Sequence, residues 1–115
     1  MGESVFIDTF GNTPYIRVLE MLLLGRGLDY SISDIARRAK VTRVTFYKML
    51  DKLKKEEIII PTRRLGNMQL YTLNVKNPVV KEILRVYMTL GRLNSEAYFK
   101  TQSKKKTVMK FAVSH

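Results

Sequence analysis

A segment around residues 42 to 55 carries side chains whose types suit the recognition of a polyanion. If it forms one helix, with about 100° between successive residues, large apolar side chains cluster on one side and basic, hydroxyl and aromatic ones lie on the other. The side chains expected on that second side are Arg43, Val44, Thr45, Tyr47, Lys48 and Lys52. Arginine and lysine can hydrogen-bond to base edges, and valine can contact a thymine methyl group. The pattern predicts binding in a DNA major groove, with Lys52 on phosphate; packing of Val44 under the preceding helix is the alternative.

The charge of the chain is concentrated around the same segment. The sequence of 115 residues contains 21 Lys and Arg against 10 Asp and Glu, a net charge of +11. Residues 31–76 contain eleven basic and four acidic residues, and so carry +7 of that total. Such a balance favours a polyanionic partner, and a merely solvated face would not require this concentration. Double-stranded DNA is therefore the predicted partner.

Few residues of this chain could do catalytic or metal chemistry. His115 is the only histidine and there is no cysteine; neither paired carboxylates nor a glycine-rich phosphate loop occurs. We therefore expect no enzyme activity, catalytic residue, metal or cofactor, and nothing indicates a small-molecule effector. No apolar run approaches the roughly 18 residues of a membrane span, and the N-terminus has no signal-peptide pattern. A cytoplasmic protein without membrane contact is expected.

Two helices must hold the basic segment in place. The polar residues before Pro14 predict the start of a first helix over about Pro14–Leu24. After an extended link, Ser33 is expected to cap a short second helix, and Thr42 a third that runs to about Glu56. Small residues at the crossing and an apolar residue in the turn lock a helix-turn-helix. This sequence has them at Ala36, Ala39 and Val41.

The residues after the third helix predict a β-hairpin. The β-branched run Ile58–Ile60 suits a strand, residues 64–67 form a turn, and Gln69–Leu73 returns. Arginines are expected at the hairpin tip, where they suit phosphate or a narrow minor groove; a solubilising pair on an exposed turn is the alternative. The DNA contacts predicted for this hairpin and for the outer face of the second helix are Arg63, Arg64, Asn67 and Arg38.

A fourth helix is predicted to start at Asn77 and Pro78. It reaches Gly91 or, if that glycine is tolerated, about Lys100. Its apolar residues recur at spacings of three and four, in a stripe wider than one small domain needs, so a second subunit would cover part of it. A helix that packs only within its own chain is the alternative. The predicted dimer interface comprises Val79, Val80, Ile83, Tyr87 and Leu90.

The predicted fold is mainly α-helical with a small β-hairpin wing. It is a winged helix-turn-helix with a C-terminal dimerisation helix. Residues 1–11 form a lead-in and residues 12–76 the winged helix-turn-helix. Residues 77–100 form the helix of the dimer interface, and residues 101–115 a basic and apolar tail.

The sequence resembles archaeal winged helix-turn-helix transcriptional regulators of the broad MarR/ArsR type. The resembling parts, which cover about Phe10 to Tyr87, are the helix-turn-helix and the segments Phe10–Leu23, Leu53–Ile60, Thr62–Asn74 and Asn77–Val80. The resemblance implies the fold and DNA binding. Its contacts carry over best to Arg43, Thr45, Tyr47 and Lys48, followed by Arg63 and Arg64. The chain departs from the family at Glu57, where a glycine commonly follows the recognition helix, and this implies a differently shaped helix end.

The function expected from these features is sequence-specific binding of double-stranded DNA by a homodimeric transcription regulator. Two alternatives remain. One is an architectural or partition-type DNA-binding protein with little sequence choice. The other is a winged helix used for protein or RNA contacts.

Overall fold

The computed structural model describes the backbone of residues 4–114 and the side chains of residues 4–100. The order of elements in that part of the chain is α1 (Val5–Phe10), α2 (Pro14–Leu24), β1 (Tyr30–Ser31), α3 (Ile32–Ala39), α4 (Arg43–Lys55), β2 (Ile59–Leu65), β3 (Met68–Leu73) and α5 (Pro78–Ser114). This order confirms the predicted fold, mainly helical with a hairpin wing. It adds a short helix, α1, within the segment that was predicted only as a lead-in.

Hydroxyl side chains cap the starts of four helices, α1 to α4. The Thr13 hydroxyl accepts a hydrogen bond from the Ile16 amide, and Pro14 lies in the first turn of α2. The Thr42 hydroxyl caps α4 in the same way, through the Thr45 amide. The predicted cap of α3 was wrong. Ser31, not Ser33, accepts the bond, from the Asp34 amide at 3.1 Å. Asp34 lies in the first turn of α3, where its negative charge interacts favourably with the positive end of the helix dipole.

The three strands form one antiparallel sheet in the order β1-β3-β2. Tyr30 pairs with Tyr71, and Ile59 pairs with Leu73. The hairpin of β2 and β3, hereafter the wing, turns through two residues that follow Leu65, so the predicted four-residue turn over 64–67 was too wide. The pairing is irregular between Pro61 and Arg64, next to a proline that has no N–H to donate.

The core lies where α1, α2, α3 and α4 meet the base of the sheet and the start of α5. Its largest fully buried side chains are Phe6, Val18, Leu22, Leu23, Ile35, Phe46, Leu53, Ile59 and Val80. The helix α1 is held to α5 by an edge-to-face contact of Phe6 with Tyr87, whose ring centroids are 5.6 Å apart. The lead-in therefore completes the core of its own chain.

The helix α5 is longer than predicted. It passes Gly91 and the expected end at Lys100 and continues to Ser114, 37 residues in all, so the chain measures 69 × 28 × 25 Å. A glycine costs a helix only about 1 kcal/mol, which good helix formers on both sides can offset. The side chains of the predicted basic and apolar tail, residues 101–115, lie outside the described residues.

Candidate nucleic-acid interface

The turn between α3 and α4 is built from backbone hydrogen bonds around a left-handed residue. Lys40 has φ 58° and ψ 43°, and the Val41 amide donates to the Ala36 carbonyl at 2.9 Å. Arg17, from α2, donates to the carbonyls of Ala39 at 3.0 Å and Lys40 at 3.3 Å. Arg17 thus ties α2 to the turn that precedes α4. No spacing pattern in the sequence marks this arginine.

The helix α4 is amphipathic in the predicted sense. Phe46, Leu50 and Leu53 are buried, while the opposite side projects into solvent. On that side Val44 is 68% exposed and Tyr47 49% exposed. The guanidinium of Arg43 and the ammonium of Lys48 are also exposed, with no ion-pair partner among the described residues. Because Val44 is so exposed, it does not pack under α3, which had been the alternative reading for this residue.

The other residues of α3 and α4 that are predicted to contact DNA each contact a neighbouring side chain of the protein. Thr45 is half-buried, and its hydroxyl oxygen accepts a hydrogen bond from the Thr42 hydroxyl at 2.9 Å. The Lys52 ammonium lies 5.7 Å from the centre of the Tyr15 ring. The Arg38 guanidinium lies 5.1 Å from the centre of the Tyr30 ring. Cation–π contacts of this kind restrict where an exposed basic group points.

The carboxyl end of α4 is followed by a left-handed residue, Glu57, at the position where the resembling family commonly has glycine. Glu57 has φ 55°, in the left-handed region that favours glycine. The Ile58 amide donates to the Leu53 carbonyl at 2.9 Å, and the Glu57 amide donates to the Lys54 carbonyl at 3.0 Å. Asn77, at the start of α5, donates its side-chain amide to the Glu57 carbonyl at 3.0 Å. Lys40, before α4, and Glu57, after it, therefore both have a left-handed backbone, one at each end of the candidate recognition helix.

The wing carries its arginines along β2 and not at the tip, which corrects the predicted position of Arg63 and Arg64. Arg63 is ion-paired with Asp29, with Nε 3.0 Å from Oδ2, and the Thr62 hydroxyl donates to the same oxygen at 2.7 Å. These hydrogen bonds, from Thr62 first and then Arg63, hold the pKa of Asp29 below its usual range. Arg64 is exposed, with no such partner among the described residues.

The tip of the wing consists of a two-residue turn between two apolar side chains. Gly66, with φ 62°, and the exposed Asn67 form the turn. Leu65 and Met68, which pair across it, are 50% and 47% exposed. Sequence reasoning missed this pair, although a Gly-Asn turn with an apolar residue on either side is visible in the sequence.

The residues of the predicted dimer interface divide between two surfaces of α5. Val80 is buried in the core of its own chain, so its assignment to the interface was wrong. Ile83, Tyr87 and Leu90 are half-buried against that core. Val79 is exposed.

A cleft of about 750 Å³ lies between α1, α2 and the end of α3. Glu20 lines it, and its Oε2 atom is buried without a hydrogen-bond donor among the described side chains. Burial raises the pKa of the Glu20 carboxyl. Residues 4–100 contain no group of histidine, cysteine, aspartate or glutamate side chains that could hold a metal ion. Over the helices that the structure describes, none combines the length and hydropathy of a membrane span.

Comparisons with known proteins point to one fold. Neither the protein-family models nor the curated protein sequences contain a match to this chain. Among solved structures, the apo form of a ZitR mutant from Lactococcus lactis is similar with a TM-score of 0.61 at 23% identity, over 94% of this chain and 85% of that chain. Wild-type ZitR in complex with DNA gives 0.55 at 20% identity, over 85% and 70%. A predicted DNA-binding transcriptional regulator from E. coli gives 0.51 at 18% identity, over 68% and 78%. The chain therefore has the winged-helix fold of these regulators.

Proposed function

We propose that the protein is a transcription regulator that binds double-stranded DNA sequence-specifically as a homodimer. The observation that supports DNA binding is the composition of the outer face of α4. Its basic side chains Arg43 and Lys48 are accompanied by exposed Val44 and Tyr47. A solvated helix gains nothing from an exposed valine and tyrosine, whereas a major groove offers thymine methyl groups and base edges. That ZitR, which shares the fold, is solved in complex with DNA gives further support.

The groups divide by the part of the duplex that they suit. Recognition helices contact base edges mainly through their first turns, so Arg43, at the start of α4, is assigned to a guanine and Val44 to a thymine methyl group. Lys52, further along α4, and Arg64, on the wing, are assigned to phosphates, which fix position but carry no sequence information. The net charge of +11 favours the encounter with DNA at low salt.

The test of sequence choice is selection of bound duplexes from a random pool by the full chain. We expect a short, nearly palindromic site. On that site Arg43→Ala should lower affinity by about 1–3 kcal/mol and relax one base position. Arg85→Ala, which removes the same charge from the outer side of α5, should leave both unchanged. Loss of Lys52 should weaken all sequences alike and reduce the salt slope by about one.

Two results would oppose this proposal. If Arg43→Ala and Lys48→Ala both left duplex binding unchanged, the face of α4 would be wrongly assigned. If the random pool stayed flat while binding was tight, the protein would be an architectural DNA-binding protein.

The homodimer is supported by a heptad pattern on α5. Exposed Val79, Val86 and Leu93 stand seven residues apart, and a second series interleaves with them at alternating spacings of four and three. That second series is Ile83, Leu90 and Ala97. This is the spacing of the a and d positions of a coiled coil. The pattern spans about 27 Å of helix, and it ends where lysine takes the next position, at residue 100.

The residues of this heptad pattern are hereafter called the seam, and a charge placed in the seam tests whether the protein forms a dimer through it. Leu93→Glu introduces a carboxylate at an exposed seam position, since Leu93 is 49% exposed, and should make the protein monomeric in light scattering after size exclusion. Met88→Glu is the matched control, because Met88 is 55% exposed on the opposite side of the same helix, and it should leave the dimer intact. A Leu93→Glu protein that remained a dimer would exclude this seam.

A further inference from the structure

The far end of the wing presents two large apolar side chains side by side. Leu65 ends β2, Met68 begins β3, and the two are direct partners in the hairpin. The turn between them needs a positive φ at its first residue, which Gly66 supplies at 62°. Neither side chain belongs to the hydrophobic core, and each is about half exposed. The pair therefore lies at the end of an arm, and no side chain in the described part of the chain covers it.

The arm is held at its base and carries two arginines, Arg63, which is ion-paired with Asp29, and the exposed Arg64. Every residue from Pro61 to Met68 is exposed, so the wing projects beyond the core. Its base is held by Asp29, which binds Thr62 and Arg63. No acidic residue occurs between residues 58 and 81. An apolar tip on an arm that has arginines and no acidic residue of its own is complementary to a surface that combines phosphates with stacked apolar faces, which is the composition of a DNA groove.

We propose that Leu65 and Met68 form a wedge that enters the minor groove and partly unstacks a base step, so that the duplex is kinked. The proposal rests on the DNA binding proposed above. Leucine and methionine are among the side chains that open base steps from the minor groove. Pyrimidine–purine steps are the easiest to unstack. The wedge therefore selects a TA or CA/TG step under the wing without any hydrogen bond to a base.

The experiment compares the wild type with a Leu65→Ser, Met68→Ser double variant on the duplex selected by the wild type. 2-Aminopurine in the step under the wing reports unstacking, end-to-end fluorescence transfer reports the kink, and anisotropy in the same samples reports binding. The wild type should raise the 2-aminopurine emission and bring the duplex ends closer. The double variant should do neither, while it binds with an affinity lower by no more than about tenfold, since the cost of the kink and the gained contacts nearly balance.

Met88→Ser is the matched control, because it replaces a similarly exposed apolar side chain, 55% exposed on α5, outside the wing and the predicted DNA contacts, and it should kink DNA like the wild type. Thermal melting of each protein checks the fold; the exposed pair predicts little change. A double variant that kinks DNA as strongly as the wild type would overturn the wedge, as would a wild type that binds a straight duplex. If the wild type bound no duplex, the proposed function would fail together with the wedge, and anisotropy separates that outcome from the other two.

Discussion

The left-handed backbone of Glu57 predicts that a glycine at this position stabilises the protein. A left-handed conformation costs an L-residue roughly 1–2 kcal/mol, and glycine avoids that cost but loses about 0.5–1 kcal/mol to its freer unfolded chain. The Glu57 side chain is exposed, and its structural role rests on its carbonyl, which accepts from Asn74 and Asn77 and survives the change. Glu57→Gly should therefore raise the free energy of unfolding by about 0.5–1 kcal/mol.

Denaturant and thermal unfolding at one fixed protein concentration measure this gain. For a chain of this size it corresponds to a rise in Tm of roughly 2–6 °C. Glu56→Gly is the matched control, since Glu56 has φ −83°, and there glycine should destabilise by about 0.5–1 kcal/mol. Glu57→Gln removes the same charge but keeps the strain, so it should stay near the wild type. If the two glycine variants changed stability by the same amount in the same direction, the left-handed strain would be refuted.

Four further changes test individual positions. Asp29→Asn should destabilise the fold at neutral pH, because the native pKa of Asp29 is lowered; its deficit should vanish on acidification through that pKa, as followed by unfolding at several pH values. Glu20→Gln should show the opposite pH dependence of stability. Burial raises the native pKa of Glu20, so the wild type loses stability as the pH rises through that pKa. The variant should therefore be more stable than the wild type at pH 7 but not in acid. Gly25→Ala should cost about 1–3 kcal/mol in the same assay, because the new Cβ would lie 2.5 Å from the Tyr30 hydroxyl. Gly91→Ala, with nothing near its Cβ, should gain about 0.5–1 kcal/mol.

Local patterns in the sequence predicted most of the helices and the core side of α4. Thr13 and Thr42 cap the expected helices because their hydroxyls need only a neighbouring amide. The start of α3 was misplaced because Ser31 and Ser33 are both good caps, and the choice depends on the sheet. Ser31 also pairs with Leu70 as part of β1, a contact between residues far apart in the sequence.

The side of α5 that meets its own core was harder to predict. Val79 and Val80 are both apolar, and periodicity alone cannot tell which of two adjacent apolar stripes faces the rest of the chain. The structure buries Val80 and leaves Val79 exposed. The ion pair of Arg63 with Asp29 was invisible for a similar reason, because it joins residues 34 positions apart that carry no shared pattern.

Polar groups from outside the helix-turn-helix hold both ends of the candidate recognition helix. Before α4, Arg17 of α2 donates to the carbonyls of Ala39 and Lys40. After α4, the side-chain amide of Asn77, which precedes α5, donates to the Glu56 carbonyl at 2.9 Å. The orientation of α4 is therefore fixed relative to α5, whose outer stripe is the proposed dimer seam. In a two-fold dimer the distance between the two recognition helices sets the spacing of the half-sites. Because Asn77 joins the helix of the seam to the end of α4, that spacing depends on a rigid connection between the two surfaces.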